Sequence, residues 1–287
     1  MRFTTYLRLG QPRLAVVGGD AAIDLAAAVP GTPADLRAAL AAGTDLASAA
    51  AQAIASAAPR LPLATLAFAP LVPEPGKTIC LGLNYFDHAK EGGRTEKPDY
   101  PWFFYRGKSS LLGHGQPGLA PKVSTRFDYE AELAVVIAKT VPRHVRQADA
   151  LAYVFGYTCF NDMSVRDYQK RTPQWTIGKN SDATGGFGPV LVSADELAPG
   201  AAGLRIQSRL NGQLMQDAST NDMIFSVAET IALLAECMTL EAGDTIVMGT
   251  PAGVGQARTP PVWMKAGDVV EIEIERIGVL RNPIAAE

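Results

Sequence analysis

The chain has 287 residues, of which 47% are hydrophobic and 19% charged, and its formal net charge is −3. This length accommodates one large domain or a main domain with a small appendage, and the composition is that of a compact globular protein. The weakly acidic balance and the lack of a long Lys/Arg run disfavour nucleic acid as a partner. The N-terminus lacks the apolar core of a signal peptide, and no segment approaches the ~20 apolar residues that span a bilayer. We therefore expect a cytoplasmic protein that does not insert into membranes.

Residues 1–70 predict a small N-terminal α+β domain. Two short alternating strands come first, and the Ala-rich segment from Pro33 to Pro59 predicts one or two helices. The stretch from Arg60 to Gly76 contains four prolines, which exclude a regular helix and favour an extended linker. The predicted catalytic domain covers residues 71–287, and its core is expected to begin near Lys77.

The remainder of the chain is dominated by strand patterns separated by turns. Two of these strands are joined by Asn211-Gly212, a strong signal for a type I′ hairpin. Helices are predicted at 146–153 and 221–237, where apolar residues recur at helical spacing. No regular strand-helix alternation or G-x-G-x-x-G motif supports a dinucleotide-binding fold. We predict an α+β, mainly β fold whose strands curl around a central site.

The three cysteines, Cys80, Cys159 and Cys237, are widely separated and show no C-x-x-C spacing. This pattern indicates neither a disulfide framework nor a thiolate zinc site. Buried thiols are the simplest prediction for all three.

Two glutamates in FDYEAELAVVI, Glu130 and Glu132, fall on one face of a predicted strand, about 7 Å apart by twice the rise per residue. A hard cation such as Mg²⁺, Mn²⁺ or Ca²⁺ prefers oxygen ligands and would neutralise them. The same spacing recurs at Glu271, Glu273 and Glu275, where alternation with Val and Ile predicts a solvated strand face. The apolar residues that flank the first pair favour burial, and buried carboxylates need partners.

A third carboxylate, Asp162, follows an apolar strand in GYTCFNDMSVRDYQ. A helix that begins near Asn161 would place Asp162, Arg166 and Gln169 on one face. Taken alone, an Asp at this position is more typical of a helix N-cap.

The segment NYFDHAKEGG places His88 and Glu91 three residues apart, on one helical turn. Such a carboxylate orients the imidazole and makes the pair a general base for a water molecule. A solvated helix face is the competing interpretation of this pair alone. His114 and His144 lack a nearby acid in sequence and are predicted to lie in loops or on the surface.

Two further polar residues stand in Gly-rich segments. Lys179, in QWTIGKNSD, is either an anion-holding cation or a surface lysine. Thr250 opens the GTPAGVG loop, which either offers backbone N–H groups to an anion or forms a plain turn.

In their order and content, these segments resemble the fumarylacetoacetate hydrolase family. The resemblance extends from Lys77 to Pro283 and rests on eight segments: GLNYFDHAKE, FDYEAELAVVI, GYTCFNDMSVRDYQ, QWTIGKNSD, GPVLVS, LNGQLMQ, MGTPAGVG and GDVVEIEIERIGVLRNP. It implies a mixed β-roll catalytic domain and a homodimer. It also implies a Mg²⁺ or Mn²⁺ ion, replaceable by Ca²⁺ in crystals, that is bound by Glu130, Glu132 and Asp162.

The resemblance also implies roles for the remaining candidates. His88 and Glu91 would form the catalytic pair that a mobile lid carries in smaller family members. Lys179 would join them while contacting the oxo-acid end of the substrate. Gln169 and Thr250 fall on positions that contact that same end.

Arginines occupy two further positions. Arg166 falls on the arginine of the family motif and is predicted to bind substrate. Arg106, also predicted to bind substrate, stands where many family members have a lysine, with Lys108 as a shifted equivalent. Arg and Lys bind a carboxylate with different geometry, so the replacement of the family lysine by Arg106 affects which distal group of the substrate is expected.

The predicted function is that of a metal-dependent hydrolase of small 2-oxo acids. It would cleave a C–C bond in an acylpyruvate such as fumarylpyruvate or acetylpyruvate, giving pyruvate and a carboxylic acid, with His88 and Glu91 activating water. The alternative on the same site is an oxaloacetate decarboxylase or a 2-hydroxy-diene-dioate isomerase. A binding protein without chemistry is disfavoured by the intact His-Glu pair and the three carboxylates.

Overall fold

The computed structural model describes all 287 residues as eighteen strands and eight α-helices, with short 3-10 turns between them. The strands are β1 (Arg2–Arg8), β2 (Gln11–Gly18), β3 (Ala21–Asp24), β4 (Leu61–Pro62), β5 (Thr78–Gly82), β6 (Trp102–Tyr105), β7 (Leu111–Leu112), β8 (Gly118–Ala120), β9 (Phe127–Asp128), β10 (Ala131–Ile137), β11 (Val154–Asp162), β12 (Ser164–Val165), β13 (Gly185–Ser193), β14 (Arg205–Leu210), β15 (Gln213–Ser219), β16 (Thr245–Val247), β17 (Val269–Ile274) and β18 (Gly278–Ala286). The helices are α1 (Leu25–Ala28), α2 (Leu36–Ala41), α3 (Leu46–Ala55), α4 (Phe86–Glu91), α5 (Gln147–Ala150), α6 (Arg166–Gln169), α7 (Thr176–Lys179) and α8 (Val227–Cys237).

Three sheets organise the strands. Eleven strands form one mixed sheet in the order β4-β3-β2-β1-β13-β11-β10-β16-β5-β6, with β7 paired to β13. A five-stranded sheet has the order β15-β14-β17-β18-β8, and β9 pairs with β12. The prediction of an α+β, mainly β fold is confirmed.

The N-terminal segment is continuous with the large sheet. β1 pairs antiparallel with β13, with Phe3 opposite Leu191. The Ala-rich segment forms two helices, α2 and α3, as predicted. The proline-containing stretch at 60–76 has no regular helix, but it is not a free linker, because Leu71 and Val72 are fully buried. The division of the chain at residue 70 remains a prediction.

Strands β10 and β11 form the centre of the large sheet and are buried along almost their whole length. The side chains of β10 alternate between two apolar cores: Leu133 and Val135 pack into one, and Ala134 and Val136 into the other. Glu132 shares the face of Ala134 and Val136 by the same alternation. Glu130 and Glu132 therefore lie at the N-terminal end of β10, next to the apolar core.

Local predictions were confirmed at the hairpin and corrected around Asp162. Asn211 and Gly212 have φ values of 52° and 80°, as a type I′ turn requires. Asp162, however, does not lie in or cap a helix. It ends β11 opposite Gly185, its N–H donates to the Glu130 carbonyl oxygen at 3.1 Å, and the helix starts only at Arg166.

Two other predictions were refined. The predicted helix at 221–237 begins only at Val227, where the Ser226 side chain accepts a hydrogen bond from the Glu229 N–H. Cys80 and Cys159 are buried as predicted, but Cys237 is exposed because it ends this helix at the surface. None of the helices has the length and apolar character needed to cross a membrane.

Candidate active site

Three buried carboxylates meet at the ends of two neighbouring central strands. Ala131 of β10 pairs with Asn161 of β11, so Glu130 and Glu132 lie beside Asp162. One oxygen atom from each of the three carboxylates lies within 4.8 Å of the others, and all three residues are buried. The structure therefore brings together the three residues for which a metal-binding role is predicted.

Two of these carboxylates are held by Lys179 and Arg166. The Lys179 ammonium lies 2.6 Å from Asp162 Oδ2 and also pairs with Glu130. Arg166 lies 2.7 Å from Glu130 Oε1. Burial by itself raises the pKa of Glu130, but Arg166 and Lys179 outweigh burial and hold that pKa far below its usual range.

Glu132 has no cationic partner of this kind. Its Oε2 accepts a hydrogen bond of 2.6 Å from the Gly249 N–H, and it forms no ion pair. Burial raises the pKa of Glu132 well above its usual range, and the carboxylates of Asp162 and Glu130 raise it further.

The donor set fits a hard divalent cation. The buried cluster contains four carboxylates and three cations, so one negative charge would be unbalanced once every carboxylate is ionised; its members are Asp128, Glu130, Glu132, Asp162, Arg106, Arg166 and Lys179. Carboxylate oxygens are the ligands that Mg²⁺ and Mn²⁺ prefer, and a bound cation would supply the missing positive charge. Glu130, Glu132 and Asp162 are the residues that could hold it.

Arg106 lies behind the carboxylates rather than in front of them. Its fully buried guanidinium pairs with Asp162 and donates to the Met163 carbonyl oxygen at 2.6 Å and to Thr184 Oγ1 at 3.3 Å. It does not line the cavity described below, and Lys108 is an exposed residue paired with Glu74. Neither residue is placed where the predicted contact with substrate requires it to be.

A cavity of about 290 Å³ opens in front of Glu130 and Glu132. Most of the predicted site residues line it. The charged and polar side chains in its wall are His88, Glu91, Arg94, Glu130, Glu132, Arg166, Gln169, Lys170, Lys179, Thr250 and Gln256.

The predicted pair of His88 and Glu91 lies on the short helix α4, at the edge of this cavity. His88 Nδ1 is 3.4 Å from Glu91 Oε2, and Glu91 Oε1 accepts a hydrogen bond of 2.9 Å from the Gly253 N–H. Gly253 has a φ of 103°, and a Cβ there would lie 2.4 Å from the Met215 carbonyl oxygen, so glycine is needed at this position. The loop after Thr250 thus fixes the acid that orients the imidazole.

Gln169 and Thr250 are themselves held by hydrogen bonds. Gln169 Oε1 accepts from Arg166 Nη1 at 3.0 Å, which leaves its amide N–H groups available to a ligand. Thr250 Oγ1 accepts from Gln216 Nε2 at 2.7 Å, so its own hydroxyl hydrogen is available as a donor.

Sequence reasoning missed Asp128. Its carboxylate accepts from Arg166 Nε at 2.7 Å and from the backbone N–H groups of Gly255 and Gln256 at 2.7 and 3.1 Å. The signal that could have found it is the alternation itself, because Asp128 lies two residues before Glu130. Arg94 and Lys170 were also missed, and neither belongs to a distinctive pattern.

Comparisons with known proteins agree with this geometry. The sequence pattern of the family described as "Fumarylacetoacetate (FAA) hydrolase C-terminal" matches residues 77–285. The chain is 45% identical to "Oxaloacetate tautomerase YisK" of Bacillus subtilis (strain 168) over 216 residues, covering 74% of this chain and 71% of that protein.

Two solved structures share the whole fold. One is a fumarylacetoacetate hydrolase from the psychrophile Exiguobacterium antarcticum, with a TM-score of 0.85, 33% identity and complete coverage of both chains. The other is a maleylpyruvate hydrolase from Sphingobium sp. SYK-6, with a TM-score of 0.83, 30% identity and complete coverage of both chains.

Proposed function

Because this chain belongs to the fumarylacetoacetate hydrolase family, we propose that it is an oxaloacetate tautomerase, which interconverts the enol and keto forms of this 2-oxo acid. The observation that carries the proposal is the meeting, in one small cavity, of a buried carboxylate cluster with the His88–Glu91 pair. The similarity to an oxaloacetate tautomerase supports the choice of substrate.

Mg²⁺ or Mn²⁺ is the proposed cofactor, held by Glu130, Glu132 and Asp162. When bound there, the cation supplies Lewis-acid polarisation of the 2-oxo group. Lys179 adds a fixed positive charge from the chain itself, since its buried ammonium stands between two of these carboxylates. Gln169 and Thr250 orient the oxo-acid end through the donors that their own hydrogen bonds leave available.

His88 carries the proton in this proposal. Conversion of enol to keto removes one proton from the oxygen on C2 and places one on C3, so no proton is gained or lost overall. Glu91 can only accept a hydrogen bond, so the neutral imidazole carries its hydrogen on Nδ1 and leaves Nε2 unprotonated. Nε2 takes the first proton and returns it to C3.

Hydrolysis of an acylpyruvate is the second candidate. The support of His88 by Glu91 favours it, because the same unprotonated nitrogen can activate a water molecule. The structural similarity to a maleylpyruvate hydrolase points the same way. Oxaloacetate decarboxylation uses no attacking water and draws no such support from the pair.

Loss of the ultraviolet absorbance of enol-oxaloacetate tests the proposal, with the protein supplied with Mn²⁺. We expect the wild type to accelerate the loss and His88→Ala to slow it about 100-fold or more, as for removal of a general acid-base. His144→Ala, which alters an exposed histidine, is the control and should leave the rate unchanged. Pyruvate release from acetylpyruvate and fumarylpyruvate, without any effect on the enol, would instead establish the hydrolase.

A further inference from the structure

Two cations line the active-site cavity without belonging to any ion pair. Four cationic side chains face it: Arg94, Arg166, Lys170 and Lys179. Arg166 and Lys179 are neutralised by buried carboxylates. Arg94 and Lys170, in contrast, have no acidic partner within 4.0 Å. Their charges are therefore available to a ligand.

The end of helix α4 places Arg94 over the cavity. The helix ends at Glu91, and Gly93 adopts a φ of 85°, which glycine tolerates and which reverses the chain direction. The Arg94 N–H then donates to the Ala89 carbonyl oxygen at 3.1 Å. The backbone of Arg94 is thus fixed by the same helix that carries His88.

Stacked aromatic rings support the Arg94 side chain. Its guanidinium carbon lies 5.0 Å from the centre of the Trp102 ring, and Trp102 stacks on Trp175 with ring centres 5.5 Å apart. Trp175 forms part of the cavity wall and fills space left by Gly82, where a Cβ would lie 2.0 Å from its ring. A guanidinium stacked on a ring keeps its in-plane N–H donors free for a carboxylate.

Lys170 enters the same cavity from another element. It follows Gln169 at the end of α6, and its N–H donates to the Arg166 carbonyl oxygen at 3.2 Å. Partial burial lowers the pKa of the largely exposed Lys170, and the positive charges of Arg166 and Arg126 lower it further. An anion beside Lys170 would relieve this repulsion.

No acid in the cavity wall neutralises these two cations. Glu130 and Glu132 belong to the buried cluster at the base of the cavity. The third acid in the wall, Glu91, uses one oxygen on the Gly253 N–H and the other on His88.

We propose that Arg94 and Lys170 form a subsite for a second carboxylate, so that the enzyme selects 2-oxo acids that carry an anionic group at their far end. This inference rests on the proposed function, because the 2-oxo end must occupy the carboxylate cluster and its cation. Oxaloacetate has such a second carboxylate, whereas acetylpyruvate ends in a methyl group.

Titration calorimetry on the Mn²⁺-supplied protein tests the subsite without requiring turnover. The ligands are 2-oxoglutarate and 2-oxopentanoate, which have the same five-carbon chain and differ only in the terminal carboxylate. The variants are Arg94→Gln, Lys170→Gln and the double variant. Lys97→Gln and Arg171→Gln are matched controls, because each removes a nearby positive charge outside the cavity; Arg171 lies 3.6 Å from the centre of the Tyr168 ring.

We expect the wild type to bind the dicarboxylate about tenfold or more tightly than the monocarboxylate, by charge-assisted hydrogen bonds. Each single variant should weaken dicarboxylate binding about three- to tenfold and leave monocarboxylate binding nearly unchanged, since such partly exposed contacts are modest. The two controls should change neither affinity.

Equal losses for both ligands, or no loss in the double variant, would overturn the subsite. The binding experiment and the tautomerase assay can fail independently of each other. Selective dicarboxylate binding without enol-to-keto conversion would refute the tautomerase and leave the subsite standing. Conversion of oxaloacetate by a double variant with unchanged KM would refute the subsite alone.

Discussion

Two strands of this protein carry glutamates at every second residue, but one set is exposed to solvent and the other is buried. On β17, Glu271 and Glu273 alternate with fully buried apolar residues and point outward. At the start of β10, Glu130 and Glu132 point into the protein, with 3% and 1% of their surface exposed. Spacing alone does not distinguish a solvated strand face from a candidate metal site.

Their partners differ as much as their exposure. Glu273 forms an ion pair of 2.5 Å with Arg209 of the neighbouring strand, and this half-exposed pair is screened by solvent. Glu130 is enclosed by Arg166 and Lys179 in a buried cluster, where electrostatic interactions are stronger and unpaired charges are costly. The charge of the buried Glu130 therefore interacts more strongly with its partners than the charge of the half-exposed Glu273 does.

The largest effect is expected from Glu132→Gln compared with Glu273→Gln. The first substitution removes a carboxylate from the cluster proposed to hold the metal, so we expect loss of metal and at least about 100-fold lower tautomerase activity. The second should keep metal content and activity within about twofold, since it alters an exposed pair. Metal content is measured by metal analysis, and activity by the loss of enol absorbance. If the two variants behaved alike, the buried glutamates would have no metal-binding role that the exposed ones lack.

Removal of Asp128 tests the cost of breaking the buried network. Asp128→Ala leaves Glu130 as the only carboxylate paired with Arg166, and it removes the acceptor of Arg166 Nε and of the backbone N–H groups of Tyr129, Gly255 and Gln256. We therefore expect the free energy of unfolding to fall by about 3–5 kcal/mol. Arg209→Ala on the exposed strand should cost less than about 1 kcal/mol. Urea denaturation compares them, and a loss under 1 kcal/mol for Asp128→Ala would show that the buried network contributes little.

Arg106→Lys probes the support behind the cluster. Lysine keeps the positive charge but lacks the planar guanidinium, with which Arg106 contacts Asp162, Thr184 and the Met163 carbonyl oxygen at the same time. We expect metal affinity to fall about 10- to 100-fold, as for other changes behind a metal ligand, while the protein stays folded. Arg209→Lys is the matched change on the solvated face. Unchanged affinity would leave Arg106 with a purely structural role.

The smallest effect is the pH dependence of metal binding. Because burial and the neighbouring carboxylates raise the pKa of Glu132, a bound cation has to displace its proton. Affinity should therefore fall as the pH is lowered below that raised pKa, by up to about tenfold per pH unit. Mn²⁺ titrations over the pH range in which the protein stays folded check this sign. An affinity that is constant, or that rises on acidification, would contradict it.

Local sequence signals predicted local structure well. The Asn211-Gly212 hairpin and the three-residue spacing of His88 and Glu91 are determined within a few residues, and both are present in the structure. The predicted helix at Asp162 failed because the pairing of its strand with Gly185 lies outside any local window.

The surroundings of the site depend on long-range contacts, which the sequence pattern does not encode. Arg106 meets Asp162 across 56 residues of chain, and Asp128 meets Gly255 across 127. Glu130, Glu132 and Asp162 were proposed together because a family resemblance supplied what periodicity could not. The expected homodimer remains a prediction, which sedimentation would test.

Electron paramagnetic resonance of Mn²⁺ bound to chelator-treated protein, followed by the enol absorbance assay on the same samples, tests the central claim most directly. We expect one tightly bound Mn²⁺ per chain and activity that returns in proportion to the bound Mn²⁺, with neither in Glu132→Gln. Full activity in the chelator-treated protein, or tight Mn²⁺ binding that survives Glu132→Gln, would contradict the assignment of this carboxylate cluster as the catalytic metal site.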